Sequence, residues 1–155
     1  MTTNALASTI VIDTDKAPQF IDITERVVEH VKSSNVLEGI VVVYSMHTTA
    51  AIKINEYEPL LIKDMEDFLS KLASPDAYYR HNDFGIRTVN MGDDEPPNGH
   101  AHLQHLLMST SETIPIANGD LQLGEWQRIF LLELDGTRPR KRRILISVVA
   151  YNYSK

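Results

Sequence analysis

Cysteine is absent from this sequence of 155 residues. Its absence excludes disulfide bonds, catalysis by a thiolate and zinc sites built on cysteine. The sequence also lacks the GxxxxGK[ST] pattern of phosphate-binding loops, the GxGxxG pattern of dinucleotide-binding folds and the GxSxG pattern of α/β-hydrolases. Any catalytic chemistry must therefore come from histidine, carboxylate and hydroxyl side chains.

Long apolar runs and a positive net charge are absent as well. No run approaches the roughly 20 residues of a membrane span, and the N-terminal stretch has neither the basic start nor the long apolar segment of a signal peptide. The formal net charge of −6 argues against general affinity for nucleic acid or anionic membranes. We expect a cytoplasmic protein that binds a small molecule, with no nucleic-acid or membrane partner.

The residues that are present have the composition of a globular protein, 43% hydrophobic and 23% charged. A chain of this length forms one domain, so we expect a single domain over residues 1–155. Seven stretches rich in β-branched or alternating apolar residues predict strands. They are Ala5–Asp13, Ile40–Tyr44, Ala50–Asn55, Thr113–Ala117, Asp120–Leu123, Trp126–Leu134 and Arg143–Tyr151.

Two longer helices are predicted between these strands. The first begins at Thr24, a predicted N-cap, and ends near Asn35. The second begins at Pro59 and ends before Ser74, with an apolar stripe at Leu61, Met65, Phe68 and Leu72. A third, shorter helix follows His100, and its predicted apolar side carries Leu103, Leu106 and Leu107.

The order of these elements predicts an α+β fold. We expect a mostly antiparallel β-sandwich of about seven strands with the two main helices packed outside. The Asn118–Gly119 pair predicts a type I′ hairpin, because both turn residues must accept positive φ. Arg138–Arg143 is interpreted as an exposed basic loop or a subunit contact rather than a phosphate or nucleic-acid site, given the negative net charge.

The stretch from Tyr78 to Gly99 shows no helical or strand periodicity. A loop of this length inside a small domain is more often functional than idle. Its acidic run, Asp93–Glu95, has the oxygen ligands that a hard cation prefers, although such runs are more often simply solvated.

Histidine is the main candidate for site chemistry. His47, His81 and His102 lie in different turns or loops, and three imidazoles that converge can hold a divalent metal with one position left open. The alternative is that each is a hydrogen-bonded structural histidine. His30 is interpreted as a surface residue.

A definite spacing runs from Ser111 to Ile129. It comprises Ser111, Ile114, Ile116, Gly119, Gly124, Trp126–Gln127 and Ile129, and further matches are His47–Thr49, Asn55–Glu56, Tyr79 with His81, and Ala101–His102. The spacing and the further matches together cover most of the chain in order. In these residues the sequence resembles the YjbQ-like family, whose members are associated with a secondary thiamine-phosphate synthase activity. One departure is Glu125, where the family usually has threonine.

The resemblance implies a sandwich fold, a homotrimer and a small-molecule enzyme. The implied reaction joins a pyrimidine-methyl diphosphate to a thiazole phosphate and releases pyrophosphate, a reaction in which a divalent metal, zinc or magnesium, should matter. The residues that match the family's pattern divide into three implied roles. They are Glu56 and His102 for catalysis, Thr48, Asn55, Trp126 and Gln127 for substrate binding, and His47, His81 and His102 as metal ligands.

Other interpretations of these residues stay open. Glu56 can instead stabilise the start of the following helix through its charge, Trp126 can be a core residue, and Gln127 can satisfy a strand edge. The alternative function is a non-catalytic oligomeric protein that binds a metal or a metabolite, and a metal-dependent hydrolase is a weaker third hypothesis. Several strands are apolar on both faces, which by itself predicts burial against another subunit.

Overall fold

A computed structural model describes residues 5–151 of the chain. Within this range it contains eight strands and three α-helices, with a 3-10 turn at Arg80–Asn82. The strands are β1 (Ala5–Thr14), β2 (Gln19–Asp22), β3 (Gly39–Ser45), β4 (Ala50–Glu56), β5 (Ser111–Ala117), β6 (Asp120–Leu121), β7 (Gln127–Glu133) and β8 (Arg140–Ala150). The helices are α1 (Thr24–Ser34), α2 (Pro59–Leu72) and α3 (Gly99–Leu106).

The strands form two sheets that pack face to face. A five-stranded sheet has the order β1-β8-β3-β5-β6, and a three-stranded sheet has the order β2-β7-β4. Neighbouring strands are antiparallel in both sheets. The predicted α+β sandwich is therefore confirmed, with β2 as one short strand more than the sequence indicated.

The main core lies between the two sheets. Alternate residues of the central strand β3, such as Val41 and Val43, are fully buried there, and Ile144 and Ile146 of β8 lie beside them. This alternation follows from the two-residue period of a strand, which turns every second side chain inward. Val27 and Val31 of α1 join the same core.

The hairpin between β5 and β6 is confirmed in its turn geometry. Asn118 and Gly119 both have positive φ, 53° and 81°. These values match the type I′ turn predicted for this dipeptide, which needs a residue tolerant of left-handed backbone at both positions.

The helix α2 has the predicted bounds but a different buried face. Leu69 is buried and Ile62 packs beside it, whereas Phe68 and Leu72 of the predicted stripe are exposed. The predicted stripe was therefore wrong by about one position around the helix. Glu58 caps the first turn, because its carboxylate accepts the backbone N–H groups of the first helical residues at 2.7 and 3.0 Å.

The short helix α3 is also present, and its predicted apolar side was wrong. Leu103, Leu106 and Leu107 are exposed, while the buried positions include His100 and Gln104. The polar residues are buried because the Gln104 amide donates hydrogen bonds to two backbone carbonyls at the end of α2. The spacing of apolar residues predicts that the leucines are buried, because it takes no account of hydrogen bonds made by polar side chains.

Two further details differ from the sequence-based expectation. Thr24 is the first residue of α1, and its backbone N–H and hydroxyl both donate to the carboxylate of Asp22, at 2.9 and 2.6 Å. Ile23 rather than Thr24 thus occupies the N-cap position, and the preceding Asp22 satisfies the first helical N–H. Most of the predicted basic loop, from Arg140 onward, belongs to β8 and pairs with β1 from Thr14.

The two outer faces of the sandwich are covered unequally. The helices α2 and α3 pack on the outer face of the three-stranded sheet through a second cluster that includes Phe130 and Leu132. On the outer face of the five-stranded sheet, Ile40, Val42 and Leu145 are only partly buried. Within residues 5–151, no helix has both the length and the apolar character needed to cross a membrane.

Candidate functional site

A cleft of about 410 Å³ lies at the end of the sandwich where β4 begins and β7 ends. Thr48 and Thr49 precede β4, and Asp135 follows β7, so the polar ends of two buried strands form its floor. Its walls come from the start of α3, the start of β8 and the irregular loop 81–96. The prediction that this loop lies at a site is thus consistent with its position.

Two of the three predicted histidines meet in this cleft. The rings of His81, in the 3-10 turn, and His102, on α3, have centroids 4.6 Å apart and contact edge to face. Burial lowers the pKa of His102 below the ordinary value for imidazole, and the nearby His81 ring lowers it further. The neutral form of His102 therefore predominates at pH 7.

An arginine is positioned beside this histidine pair. Arg87 donates to the Glu95 carboxylate at 2.6 and 3.1 Å, and its Nη1 lies 3.2 Å from Nε2 of His81. It also donates to backbone carbonyl groups within the loop, including that of Asn90. The hydrogen bond from Arg87 is the main reason that the pKa of Glu95 lies below its usual range. This ion pair holds the loop against the cleft.

A second carboxylate network lies at the floor of the cleft. Asp135 is buried and accepts hydrogen bonds from Asn98 at 3.0 Å, from Thr137, and from Arg140 through an ion pair. Burial alone would raise the pKa of Asp135, but these hydrogen bonds and the Arg140 charge outweigh it, so the pKa is lowered. Within residues 5–151, Oδ1 of Asn98 and Nε of Arg140 are buried without a hydrogen-bond partner.

A fully buried ion pair lies below the cleft floor. Arg142 contacts both carboxylate oxygens of Glu133, one of them from Nε at 2.5 Å, and its Nη2 donates to Oγ1 of Thr49 at 3.0 Å. Thr14 donates to the same carboxylate at 2.7 Å. The pair joins β7, β8 and Thr49, the residue before β4. It therefore fixes the part of the cleft floor that carries Thr48.

The third predicted histidine, His47, does not share the pocket of the other two in this arrangement. Its Nε2 accepts a hydrogen bond from the backbone N–H of Arg143 at 2.7 Å. Burial lowers the pKa of His47, and the nearby Arg142 charge lowers it further. The ring thus anchors the turn before β4 to β8, as a neutral structural imidazole would.

Two predicted residues, Asn55 and Glu56, lie at the other end of β4. A strand of this length spans about 20 Å, so both are far from the cleft within one chain. Both side chains are exposed, and the Nδ2 of Asn55 lies 3.2 Å from the sulfur of Met65 on α2. The structure does not bring Glu56 to His102 of the same chain.

The remaining predicted residues, Trp126 and Gln127, lie beside that same distant end. Glu56 and Gln127 are register partners across β4 and β7. Oε1 of Gln127 accepts the backbone N–H of Gly124 at 2.8 Å, which closes the turn before β7. Trp126 is 67% exposed, so it is not a core residue of this chain.

The cleft residues do not fit the metal site implied by the resemblance in their present positions. Within residues 5–151, no group of three or more histidine, aspartate or glutamate side chains is placed to hold a metal ion. Nη1 of Arg87 lies 3.2 Å from Nε2 of His81 and 2.6 Å from Oε1 of Glu95, two atoms that are 3.5 Å apart, so a cation bound by them would have to displace the guanidinium. His47 is hydrogen-bonded elsewhere. Two imidazoles, those of His81 and His102, remain together.

Several cleft residues were missed by sequence reasoning. Asp135, Arg87 and Asn98 were not singled out from the sequence as site residues. One available signal was the phase of β8, where Arg142 alternates with Ile144 and Ile146 and therefore shares their buried face. A charged residue in phase with core positions needs a buried partner, which here is Glu133.

Comparisons with known proteins agree with this architecture. The sequence profile described as "UPF0047 protein YjbQ-like" matches residues 8–151. A UPF0047 protein of Methanothermobacter thermautotrophicus is 41% identical over 135 residues, covering 87% of this chain and 85% of the relative. Another from Archaeoglobus fulgidus is 37% identical over 140 residues and covers 90% and 98%.

Solved structures show the same similarity. A hypothetical protein from Aeropyrum pernix K1 superposes with a TM-score of 0.81 at 32% identity, covering 94% of this chain and 99% of that one. An uncharacterized conserved protein of the yjbq/upf0047 family from Clostridium acetobutylicum gives a TM-score of 0.78 at 36% identity, covering 91% and 98%. The chain therefore belongs to the YjbQ-like family, UPF0047.

Proposed function

We propose that the chain is a small-molecule enzyme that resembles secondary thiamine-phosphate synthase. The reaction joins a pyrimidine-methyl diphosphate to a thiazole phosphate and releases pyrophosphate. The observation that carries this proposal is the charge of the cleft. Three arginines, Arg87, Arg138 and Arg140, line it with two carboxylates, a net charge of +1 in a protein of net charge −6.

The arginines suit a phosphorylated substrate in different ways. Arg87 and Arg140 are held by Glu95 and Asp135, so their positions are set before a ligand binds. Within residues 5–151 the guanidinium of Arg138 forms no ion pair, and its Nη1 donates only to a backbone carbonyl at 3.3 Å. Arg138 is thus the cation with the most capacity left for an anion, since guanidinium groups bind phosphate through paired N–H donors.

The proposed chemistry places most of the new charge on the leaving group. The bond between the methylene carbon and the diphosphate oxygen breaks, and its electron pair leaves with pyrophosphate. The lone pair of the thiazole nitrogen forms the new carbon–nitrogen bond. Donors fixed near the departing oxygens lower the barrier because they favour the charge that develops there. Thr48 and Asn98 add polar contacts, and the neutral His102 can donate its ring N–H to the oxygens of the departing diphosphate.

The experiment that tests this function measures pyrophosphate binding and turnover together. We expect the purified protein to bind pyrophosphate and to form thiamine phosphate from the two substrates. Arg138→Ala should weaken pyrophosphate binding and raise the KM for the diphosphate substrate about tenfold, the scale of one charge-assisted contact. Isothermal titration and a pyrophosphate-release assay give these quantities.

Arg26→Ala is the matched control. Arg26 lies on α1, is exposed, and does not line the cleft, so its loss should leave both values unchanged. A protein that binds no pyrophosphate, or that responds equally to both substitutions, would contradict the assignment of the cleft.

A second candidate function is a non-catalytic oligomeric protein that binds a metabolite. One observation favours it, because both carboxylates of the cleft are engaged in ion pairs and neither is free to act as a base. Under this alternative, the protein binds pyrophosphate and this binding depends on Arg138, but no thiamine phosphate forms. The same two assays therefore separate the candidates.

A divalent metal, zinc or magnesium, is a separate proposal that is supported by the family resemblance. Binding of the metal by the three histidines requires two changes. Arg87 must move away from His81, and His47 must give up its hydrogen bond with the Arg143 N–H. We expect zinc content to fall at least tenfold in His81→Ala and in His47→Ala, since the loss of one ligand of three is poorly compensated. Metal analysis of the purified proteins measures it, with His30→Ala on α1 as control. Unchanged zinc in His47→Ala would remove His47 from the ligand set.

A homotrimer is the proposed assembly. The outer face of the five-stranded sheet supports burial against other copies, because Ile40, Val42 and Leu145 are apolar and only partly covered there. The number three comes from the family resemblance. We expect light scattering at micromolar concentration to give three times the chain mass, and Val42→Asp to yield smaller species. A wild-type monomer would refute the assembly, and a dimer would refute its stoichiometry.

A further inference from the structure

A second cavity, of about 210 Å³, lies on the opposite side of α3 from the cleft. Asn98 and His102 are four residues apart and line the cleft, whereas His100 and Gln104, also four apart, line this cavity. The loop after β7 separates the two spaces in the same way, with Asp135 on the cleft side and Thr137 in the cavity lining.

Gln104 presents an unsatisfied acceptor to this cavity. Its side chain is 1% exposed, and its Nε2 donates to the carbonyl oxygens of Leu69 and Ala73 at 2.9 and 3.1 Å. These two bonds fix the orientation of the amide, because the reversed orientation would place Oε1 against two carbonyl oxygens. Within residues 5–151, Oε1 has no hydrogen-bond partner.

His100 presents a second unsatisfied atom. The residue is 8% exposed, and its Nδ1 is buried without a partner in the described part of the chain. Burial lowers the pKa of His100, although the charge of Asp135 opposes this, so the ring is neutral at pH 7. In a neutral imidazole, Nδ1 either donates or accepts, depending on the tautomer.

Two orphaned polar atoms at one cavity indicate that the cavity is normally filled. Buried polar atoms in proteins nearly always have a partner, and here the partner must come from the contents of the cavity. The side chains that line it carry no formal charge, and Pro18, Pro75 and Leu134 supply apolar walls. The lining therefore favours a neutral occupant with both an apolar part and a hydrogen-bond donor.

We propose that this cavity is a binding site for a small neutral molecule with N–H donors, of the primary carboxamide class. The donor binds Oε1 of Gln104, the carbonyl or a second N–H meets Nδ1 of His100, and the apolar part contacts the proline walls. The volume corresponds to about seven water molecules, so a ligand of about six or seven non-hydrogen atoms fits.

Isobutyramide and 3-methyl-2-butanone provide a matched pair of probes, because each has six non-hydrogen atoms and the ketone carries a methyl group in place of the N–H donor. Protein NMR that follows the imidazole signals of His100 measures their binding. We expect isobutyramide to bind with about millimolar affinity and the ketone at least tenfold more weakly. Equal binding of the two probes would overturn the proposal. A high-resolution structure that shows ordered water only, even with saturating isobutyramide, would also overturn it.

Substitutions locate the site. We expect His100→Leu to weaken isobutyramide binding at least tenfold, and Thr48→Ala, in the cleft, to leave it unchanged. The reverse result would place the amide in the cleft and refute the assignment. If His100→Leu does not fold, the comparison of the two probes on the wild-type protein still decides.

Discussion

Arg142→Met is expected to lower the free energy of unfolding by about 3–5 kcal/mol, the cost of leaving one charge of a buried pair without its partner. Arg142 is 5% exposed and Glu133 is fully buried. The guanidinium contacts both carboxylate oxygens, and Thr14 and Thr49 complete the hydrogen bonding. Methionine retains much of the side-chain volume, so the expected loss comes from the unpaired Glu133 carboxylate rather than from an empty space.

The measurement is urea unfolding at pH 7. Lys141→Met is the matched control, because Lys141 is the neighbouring residue on the opposite face of β8 and its ion pair with Asp13 is about three-quarters exposed on both sides. Exposed pairs of this kind contribute little to stability, so the control should unfold close to wild type.

The double variant Glu133→Met with Arg142→Met provides a further test. Removal of both charges leaves no buried charge unpaired, and the double variant should be more stable than Arg142→Met alone. An Arg142→Met protein as stable as Lys141→Met would show that water reaches Glu133 and that the cleft floor is not sealed.

Turnover is expected to fall about 10²-fold or more in His102→Asn, the usual scale for losing one donor to the charge that develops on a leaving group. His102 lines the cleft beside the arginines that the proposed reaction uses. The other catalytic candidate, Glu56, is exposed and lies about 20 Å away along β4. It can act in the same reaction only if a neighbouring subunit brings it to the cleft, and on that basis we expect Glu56→Gln to lose activity to a similar degree.

Subunit mixing tests this arrangement directly. If the site is shared, exchange between inactive His102→Asn and Glu56→Gln proteins creates some clefts with an intact His102 from one copy and an intact Glu56 from another. Random mixing in equal amounts should restore about a quarter of wild-type turnover. No recovery, with both single variants inactive, would mean that the two residues act within one chain. Wild-type turnover in Glu56→Gln would assign Glu56 to the charge at the start of α2.

Features specified by adjacent residues were predictable from the sequence. Asn118–Gly119 determines its own turn, because positive φ is a local requirement, and Pro59 marks the start of α2 for a similar reason. The run Ile40–Tyr44, which is apolar on both faces, likewise predicted a central strand, and β3 lies between two others. These features can be predicted without knowing which residues from distant parts of the sequence contact them.

Features that depend on distant partners were not predictable. The buried face of α3 is decided by Gln104, which satisfies carbonyl groups at the end of α2, and not by the more apolar Leu106. The residues of the cleft were predictable only in part for the same reason. Of the three histidines expected to converge, His81 and His102 meet in the cleft and His47 does not. The separation of Glu56 from them follows from the direction of β4, which only the sheet topology reveals.

The position of β8 in the five-stranded sheet constrains how the chain folds. Its partners are β1, from the first residues of the described chain, and β3, and it lies between them. During synthesis β1 must therefore wait without its neighbour until residues 140–150 have left the ribosome. Such long-range pairing slows folding to the range of about milliseconds to seconds, and an edge left unpaired for that time is prone to aggregate.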